Sequence, residues 1–300
     1  TLILDFSEIR PAGERLKGYG WISSGSEAIG RAYLEIAKIL NLRASNLLRK
    51  MDILDIVNWL GTVLSSRRSA EIALFDYGEP EWHDFAVGKK DWWLTGNEQR
   101  QQSNNSLLFR YKPKKEELAN IFELMADAGG SEPGFINGMA ALERAPWFKG
   151  VNPCAEILLG NKTFCNLTEI DLGKFVGDQA GLIQALKLVA RANYRQTCVD
   201  LNDGVLQEAW HLNNQFLHLC GVGLTGIARR RNLGAYDYKQ MQRVTTSAAY
   251  RMADELDLPR PKNVTTVKPS GTLSKIMDTT EGVHKPLGKY IFNNVNFSKH

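Results

Sequence analysis

Cysteine is scarce in this sequence: four thiols in 300 residues, at positions 154, 165, 198 and 220, with no CxxC pair. That scarcity excludes a disulfide-stapled secreted scaffold and predicts a reducing compartment, the cytoplasm, with thiols placed one by one. Histidine is as sparse. Its five copies form no HExxH or comparable spacing, so a protein-held metal is not expected. No apolar run approaches the roughly 18 to 20 residues that span a bilayer, and TLILDFSEIR at the start lacks the regions of a signal peptide. No membrane partner is expected. Opening on threonine inside a strand-like run, the sequence reads as a piece of a longer chain. A strong excess of one charge is also missing. The net charge is +4 without a dense basic stripe, and RRR at 229–231 reads as a solvated helix end, so no nucleic-acid partner is expected. Repeats, low-complexity tracts and long linkers are absent as well.

What is present is ordinary globular composition, 43% hydrophobic and 23% charged, which excludes extended disorder. Helical periodicity runs through 28–40, 52–64, 115–128, 179–194 and 238–256, and strand patterns through 69–75, 105–109, 133–137, 163–170 and 263–267. Strands alternating with helices of this length predict an α/β protein whose ligands gather in the loops at strand ends. The Gly- and Pro-containing stretches at 11–30, 129–138, 146–153 and 259–272 read as loops inside a single domain, 1–300.

Two of the cysteines stand eleven apart in NPCAEILLGNKTFCNLTEI, residues 152–170. Pro153 keeps Asn152 out of helix and puts Cys154 in an irregular loop. In extended backbone, residues two apart point the same way, so Cys154 and Glu156 can face one pocket. Buried packing is the plain alternative for a free cysteine. It suits Cys198 in QTCVDL and Cys220 in LHLCGVG, and it suits NPCAE less, where proline, asparagine and a charge surround the sulfur. PSGTLS, 269–274, follows a strand pattern with a proline, a glycine and three hydroxyls. It predicts either a capped turn or an anion site at a helix start. GVGLTG, 221–226, matches GxGxxG but follows a helical stretch rather than a strand, so it is read as a close-packing or turn element and not a dinucleotide fingerprint. Arg67 and Arg68 in SSRRSAEIAL are candidates for base or phosphate contact, with surface solvation as the alternative. His211 and His218, seven apart without a third ligand, read as structural, and the tryptophans as packing.

NPCAEI followed by FCNLTEI resembles the finger-loop region of ribonucleotide reductases, in particular the monomeric, adenosylcobalamin-dependent class II ribonucleoside-triphosphate reductases. ERLKGYGWISSG (14–25), SSRRSAEIALFD (65–76), SNNSLLF (103–109), QTCVDLNDGVLQEAWHLNNQFLHLCGVGLTG (196–226) and VKPSGTLSKIMDTTEGVHKPLG (267–288) resemble further blocks of that family, in order. Trp21 departs from it, standing where the family commonly has glycine. The resemblance implies part of a ten-stranded α/β barrel, of the type shared with glycyl radical enzymes, around a central finger loop. It implies reduction of ribonucleoside triphosphates to 2′-deoxyribonucleotides by a radical mechanism. Cys154 matches the cysteine that becomes a thiyl radical and takes the ribose 3′ hydrogen, and Glu156 the base on the 3′ hydroxyl. Asn152 matches the amide that hydrogen-bonds the ribose and the glutamate, and Cys165 one of two cysteines that end as a disulfide. Ser270, Gly271, Thr272 and Ser274 match the substrate phosphate loop, and Arg67 and Arg68 lie in a loop like the one that reads the base.

The implied cofactor is adenosylcobalamin and the implied partners are a dNTP effector and a thioredoxin-type reductant, with the protein a monomer or weak dimer. The family's second reducing cysteine lies upstream of the matched region, and no residue before 154 is a cysteine. The chain is therefore expected to be an incomplete catalytic core. Two alternatives stay open at this point: a nucleotide-binding remnant without turnover, and a class I type ribonucleoside-diphosphate reductase.

Overall fold

A computed structural model describes residues 3–16, 22–63, 71–230, 232–286, 288 and 290. Trp21, Arg67 and Arg68 lie outside the described residues. The chain divides into two compact units, one reaching Arg144 and one beginning at Ala145.

The first unit opens with two amphipathic helices, α1 (Gly25–Leu42) and α2 (Lys50–Thr62). There follow β1 (Glu71–Asp76), the short helices α3 (Trp82–Ala86) and α4 (Trp92–Thr95), β2 (Ser103–Phe109), α5 (Lys115–Ala128), β3 (Gly134–Asn137) and α6 (Gly138–Arg144). β1, β2 and β3 form a parallel sheet in that order. Leu107, Phe109 and Phe75 from the sheet bury themselves with Met51, Phe85 and Ile121 from the helices. This is the apolar seam that the periodicities of α2 and α5 call for. Glu117 caps α5 by accepting the Lys114 N–H at 2.7 Å.

The second unit repeats the theme. It contains β4 (Gly150–Val151), β5 (Leu158–Leu159), β6 (Asn166–Asp171), α7 (Gln179–Gln196), α8 (Glu208–Leu217), β7 (Cys220–Thr225), α9 (Ala235–Glu255), β8 (Thr265–Thr266) and α10 (Thr272–Ile276). β4 and β5 are a small antiparallel hairpin, while β6, β7 and β8 are parallel, with Asn166 opposite Cys220 and Val222 opposite Thr265. Parallel neighbours need crossover connections, which α7 with α8, and then α9, supply. On the helix face of this sheet Ile170, Val222 and Val264 pack against Leu182, Leu186, Met241 and Ala248. Fully buried Ala190, Ala248 and Ala249 let α7 and α9 approach closely.

The α/β expectation holds, and the predicted helices and strands lie within a few residues of the observed ones. The main omission is β7. Its sequence CGVGLT has three glycine or threonine residues among six, too little apolar alternation to announce a strand. Alternation is nevertheless what it obeys. Cys220 and Val222 face the helices, and Gly221 and Gly223 occupy the opposite face.

Candidate active site

The glycine face of β7 is where the candidate site is built. A Cβ on Gly221 would lie 2.5 Å from Leu167 Cδ2 and 2.8 Å from Ile157 Cδ1, and one on Gly223 would lie 2.6 Å from Lys268 Cβ. Lys268 Cβ can yield only with its backbone, so glycine is needed at 223 for the segment after β8 to lie against the strand, whereas at 221 the side-chain ends of Leu167 and Ile157 would have to shift. The GxGxxG match is thus accounted for by packing. Fully buried Asn193 on α7 ties down the entry of the sheet. Its Oδ1 accepts the Gly221 N–H at 2.9 Å and its amide donates to Asn166 O at 2.9 Å.

The loop joining β4 to β5 carries the NPCAE motif. Ala155 N–H donates to Asn152 O at 2.8 Å, closing a turn with Pro153 in its second position, where a proline φ is already correct. Ala155 then takes φ 63°, a left-handed conformation that costs roughly 1 to 2 kcal/mol without glycine. Inside the loop, Asn152 is 2% exposed and its side-chain Oδ1 accepts the Ile157 N–H at 2.9 Å. This carboxamide braces the loop from within. Cys154 stands at the exposed turn.

Glu156 is held differently. Its backbone carbonyl accepts the Thr266 hydroxyl at 2.8 Å, and its side chain is only 3% exposed. Oε1 lies 3.4 Å from the Lys268 ammonium, while Oε2 is buried with no protein partner. A buried carboxylate with one oxygen unsatisfied is costly. The arrangement therefore identifies Oε2 as the atom with unspent hydrogen-bonding capacity.

Cys165, just before β6, packs among Ile157, Leu217 and Leu219. Burial pushes its thiol up, and the neighbouring Glu156 carboxylate adds to that rise. Lys268 and a hydrogen bond from the Asn152 amide pull the other way. Cys165 is thus a neutral thiol near pH 7, suited to give up hydrogen and electrons rather than to act as a ready thiolate. The fold brings Asn152, Glu156 and Cys165 together, and adds two residues that sequence reasoning missed, Thr266 and Lys268. The lysine immediately preceding PSGTLS was the available signal.

In the 269–274 loop, Ser270 is 4% exposed with its hydroxyl unpartnered, and its N–H donates to Lys268 O at 3.0 Å. Gly271 is exposed and open, and Thr272 begins α10. Ser274 is fully buried and its hydroxyl donates to Gly271 O at 2.6 Å, so that proton is already committed to the turn.

The remaining candidates have structural surroundings. Cys220 lies in an apolar cluster with Tyr194, Met252 and Ala253, against which Cys198 packs. Burial pushes the Cys220 thiol up to about 12 and raises that of Cys198 too. His218 is fully buried with Nδ1 2.9 Å from Thr197 Oγ1, but its Nε2 has no partner. His211 Nδ1 accepts the Leu201 N–H at 3.3 Å. Among the described residues no group of His, Cys, Asp or Glu could hold a metal ion, and no helix is long and apolar enough to cross a membrane.

Comparison with known proteins places this architecture. The fold is that of ribonucleotide reductases: the α subunit of the class Id enzyme of Actinobacillus ureae superposes on 85% of this chain and 59% of its own with a TM-score of 0.54, at 13% identity. A crystal structure of a B12-dependent, class II ribonucleotide reductase superposes better, with a TM-score of 0.75 at 26% identity over 93% of this chain and 43% of that one. In sequence, the chain is 31% identical over 345 aligned positions to the adenosylcobalamin-dependent ribonucleoside-triphosphate reductase of Lacticaseibacillus paracasei. That alignment takes in 99% of this chain and 44% of the relative, so the chain spans less than half the length of the curated relatives it matches. No family model matches. By sequence and by fold the chain is similar to class II, adenosylcobalamin-dependent ribonucleotide reductases, in keeping with the resemblance of the ordered blocks.

Proposed function

We propose that this chain carries the finger loop and substrate-reducing residues of an adenosylcobalamin-dependent ribonucleoside-triphosphate reductase. The observation that carries the proposal is the buried Glu156 carboxylate beside the Cys165 thiol, on the same loop as the exposed Cys154. Residues 1–300 are read as one incomplete catalytic domain, part of a ten-stranded α/β barrel in a cytoplasmic, monomeric or weakly dimeric enzyme.

The residues divide the reaction as follows. Cys154, as a thiyl radical, takes the 3′ hydrogen of the ribose. Glu156 accepts the 3′ hydroxyl proton through Oε2, which eases loss of the 2′ hydroxyl as water. Asn152 keeps the loop in register and hydrogen-bonds the Cys165 sulfur. Cys165 and a second cysteine from the rest of a longer chain supply two hydrogens and end as a disulfide, so that one C–O bond is exchanged for one C–H bond. Ser270, with its free hydroxyl, is the leading phosphate contact, joined by Gly271, Thr272 and Ser274. Arg67 and Arg68 are proposed for the base. Cys154 suits a radical-generating cofactor because its thiol is exposed at a turn rather than enclosed. When bound, adenosylcobalamin supplies the hydrogen-abstracting radical that protein side chains lack. A thioredoxin-type reductant regenerates the dithiol, and a dNTP acts as effector.

The test is turnover by the full-length protein with adenosylcobalamin, a ribonucleoside triphosphate and a dithiol. Deoxynucleotide formation, abolished by Cys154→Ser, is expected. Turnover that survives both Cys154→Ser and Glu156→Gln would overturn the proposal.

A further inference from the structure

Lys268 has no role in the reaction as set out above, yet the fold goes to some length to place it. Its Cβ sits against Gly223, where any side chain would displace it. Its carbonyl accepts the Ser270 N–H at 3.0 Å, and a Cβ on Gly282 would come within 3.2 Å of that same carbonyl. Pro269 follows and confines the backbone of Lys268 to extended conformations. A lysine fixed from three sides gives up the mobility that usually lets its ammonium reach water. Here its side chain is 18% exposed and its ammonium points to Glu156 Oε1 at 3.4 Å.

Near the Glu156 carboxylate, Lys268 comes from the segment after β8 and Cys165 from the segment before β6, and a second carboxylate, Glu169 on β6, lies opposite Gly223 on the face that Leu167 shares, with its Oε2 buried and unpartnered. β7 presents Gly221, Gly223 and Thr225 on this side, and so no charge. Lys268 is therefore the one described cation in contact with this carboxylate. Without this cation, a carboxylate 3% exposed would have neither oxygen held by a described side chain.

We infer that Lys268 is the positioning residue for Glu156: it holds Oε1 and leaves Oε2 free to receive the substrate proton. This rests on the reductase reading. The alternative use of the same lysine, binding a substrate phosphate beside the 269–274 loop, makes a different prediction.

The experiment compares Lys268→Met and Lys268→Arg in the full-length protein. Lys268→Met is expected to lower kcat by about 100-fold, in the range of lost general base catalysis, with KM nearly unchanged. Lys268→Arg is expected to recover to within about tenfold, because a guanidinium supplies the same charge. Infrared difference spectroscopy should show the Glu156 side-chain band, assigned by its loss in Glu156→Gln, displaced in Lys268→Met relative to the wild type, because the contact to Oε1 is gone. A raised KM with unchanged kcat, or an undisplaced Glu156 band in a folded Lys268→Met protein, overturns the inference. Failure of the reductase reading is distinguishable: the wild type would then make no deoxynucleotide, while the infrared comparison would still report on the pair.

Discussion

Two buried carboxylates, one in each unit, show the same group with its hydrogen-bonding capacity filled and with part of it left open. Asp52 at the start of α2 has a side chain 8% exposed, and both its oxygens are occupied. Arg43 Nε donates to Oδ2 at 2.7 Å, the Arg49 backbone N–H to Oδ2 at 2.9 Å, and the Arg49 guanidinium to Oδ1 at 2.9 Å. Glu156 is 3% exposed, with one long contact to Lys268 and one oxygen free. Satisfying every lone pair locks a carboxylate into the fold, whereas leaving one open, at a cost met by packing elsewhere, leaves it able to take a proton. The strands differ in the same sense. β2 buries consecutive Leu107, Leu108 and Phe109, closing both faces, while β7 buries Cys220 and Val222 on one face and has Gly221 and Gly223 on the other.

The contrast can be broken most sharply at Glu156. Glu156→Gln in the full-length protein should lower kcat by about 10² to 10⁴ and change the melting temperature little; an equal loss of stability would show that its carboxylate is structural after all. Next in size are the glycines. Gly223→Ala and Gly134→Ala each bring a Cβ to 2.6 Å from a neighbour, Lys268 Cβ in one case and Ser106 Oγ in the other. Each should cost about 1 to 3 kcal/mol by overpacking. Only Gly223→Ala should also depress kcat, which steady-state kinetics on the folded fraction would reveal.

Asp52→Asn should cost about 1 to 2 kcal/mol at pH 7, through a pH-dependent term. Burial pushes the Asp52 carboxyl up, but hydrogen bonds from Arg49 and Arg43 outweigh it and bring the group from 3.8 to about 2. The stabilisation is present above the unfolded value and is lost as pH falls through the folded one. Denaturant titrations should therefore find the deficit constant down to about pH 4 and closing toward pH 2. The smallest effect is expected at Cys220: Cys220→Ala should cost about 1 kcal/mol. At neutral pH iodoacetamide should label exposed Cys154 and spare Cys220, whose thiol is pushed up to about 12.

Much of this was legible beforehand because the relevant signals are local. Periodicity located α7 and α9, whose apolar stripes meet the sheet, and Pro153 marked the NPCAE loop as irregular. The apolar setting of Cys198 and Cys220 correctly separated them from Cys154. β7 escaped notice because its glycines carry no alternating hydrophobic signal. Lys268 escaped notice because a lysine beside a proline looks like surface until the chain is folded around it. The Ser274 hydroxyl, a candidate contact by its place in PSGTLS, is committed to Gly271 O, and nothing in a linear motif distinguishes it from the free hydroxyl of Ser270.

The sequence by itself determined the α/β character, the loop that bears Cys154, and the order of blocks shared with the reductases, since each depends on neighbours a few residues away. Only the tertiary structure decided which atoms of those blocks meet. Glu156 and Lys268 are 112 residues apart, and Glu156 and Thr266 are 110 apart. Their contacts exist because β8 pairs with β7 and the glycines of β7 leave room for both. Desolvation and Coulomb attraction act through space, so the surroundings of the Glu156 carboxylate are set by that packing and not by the residues beside it in the chain.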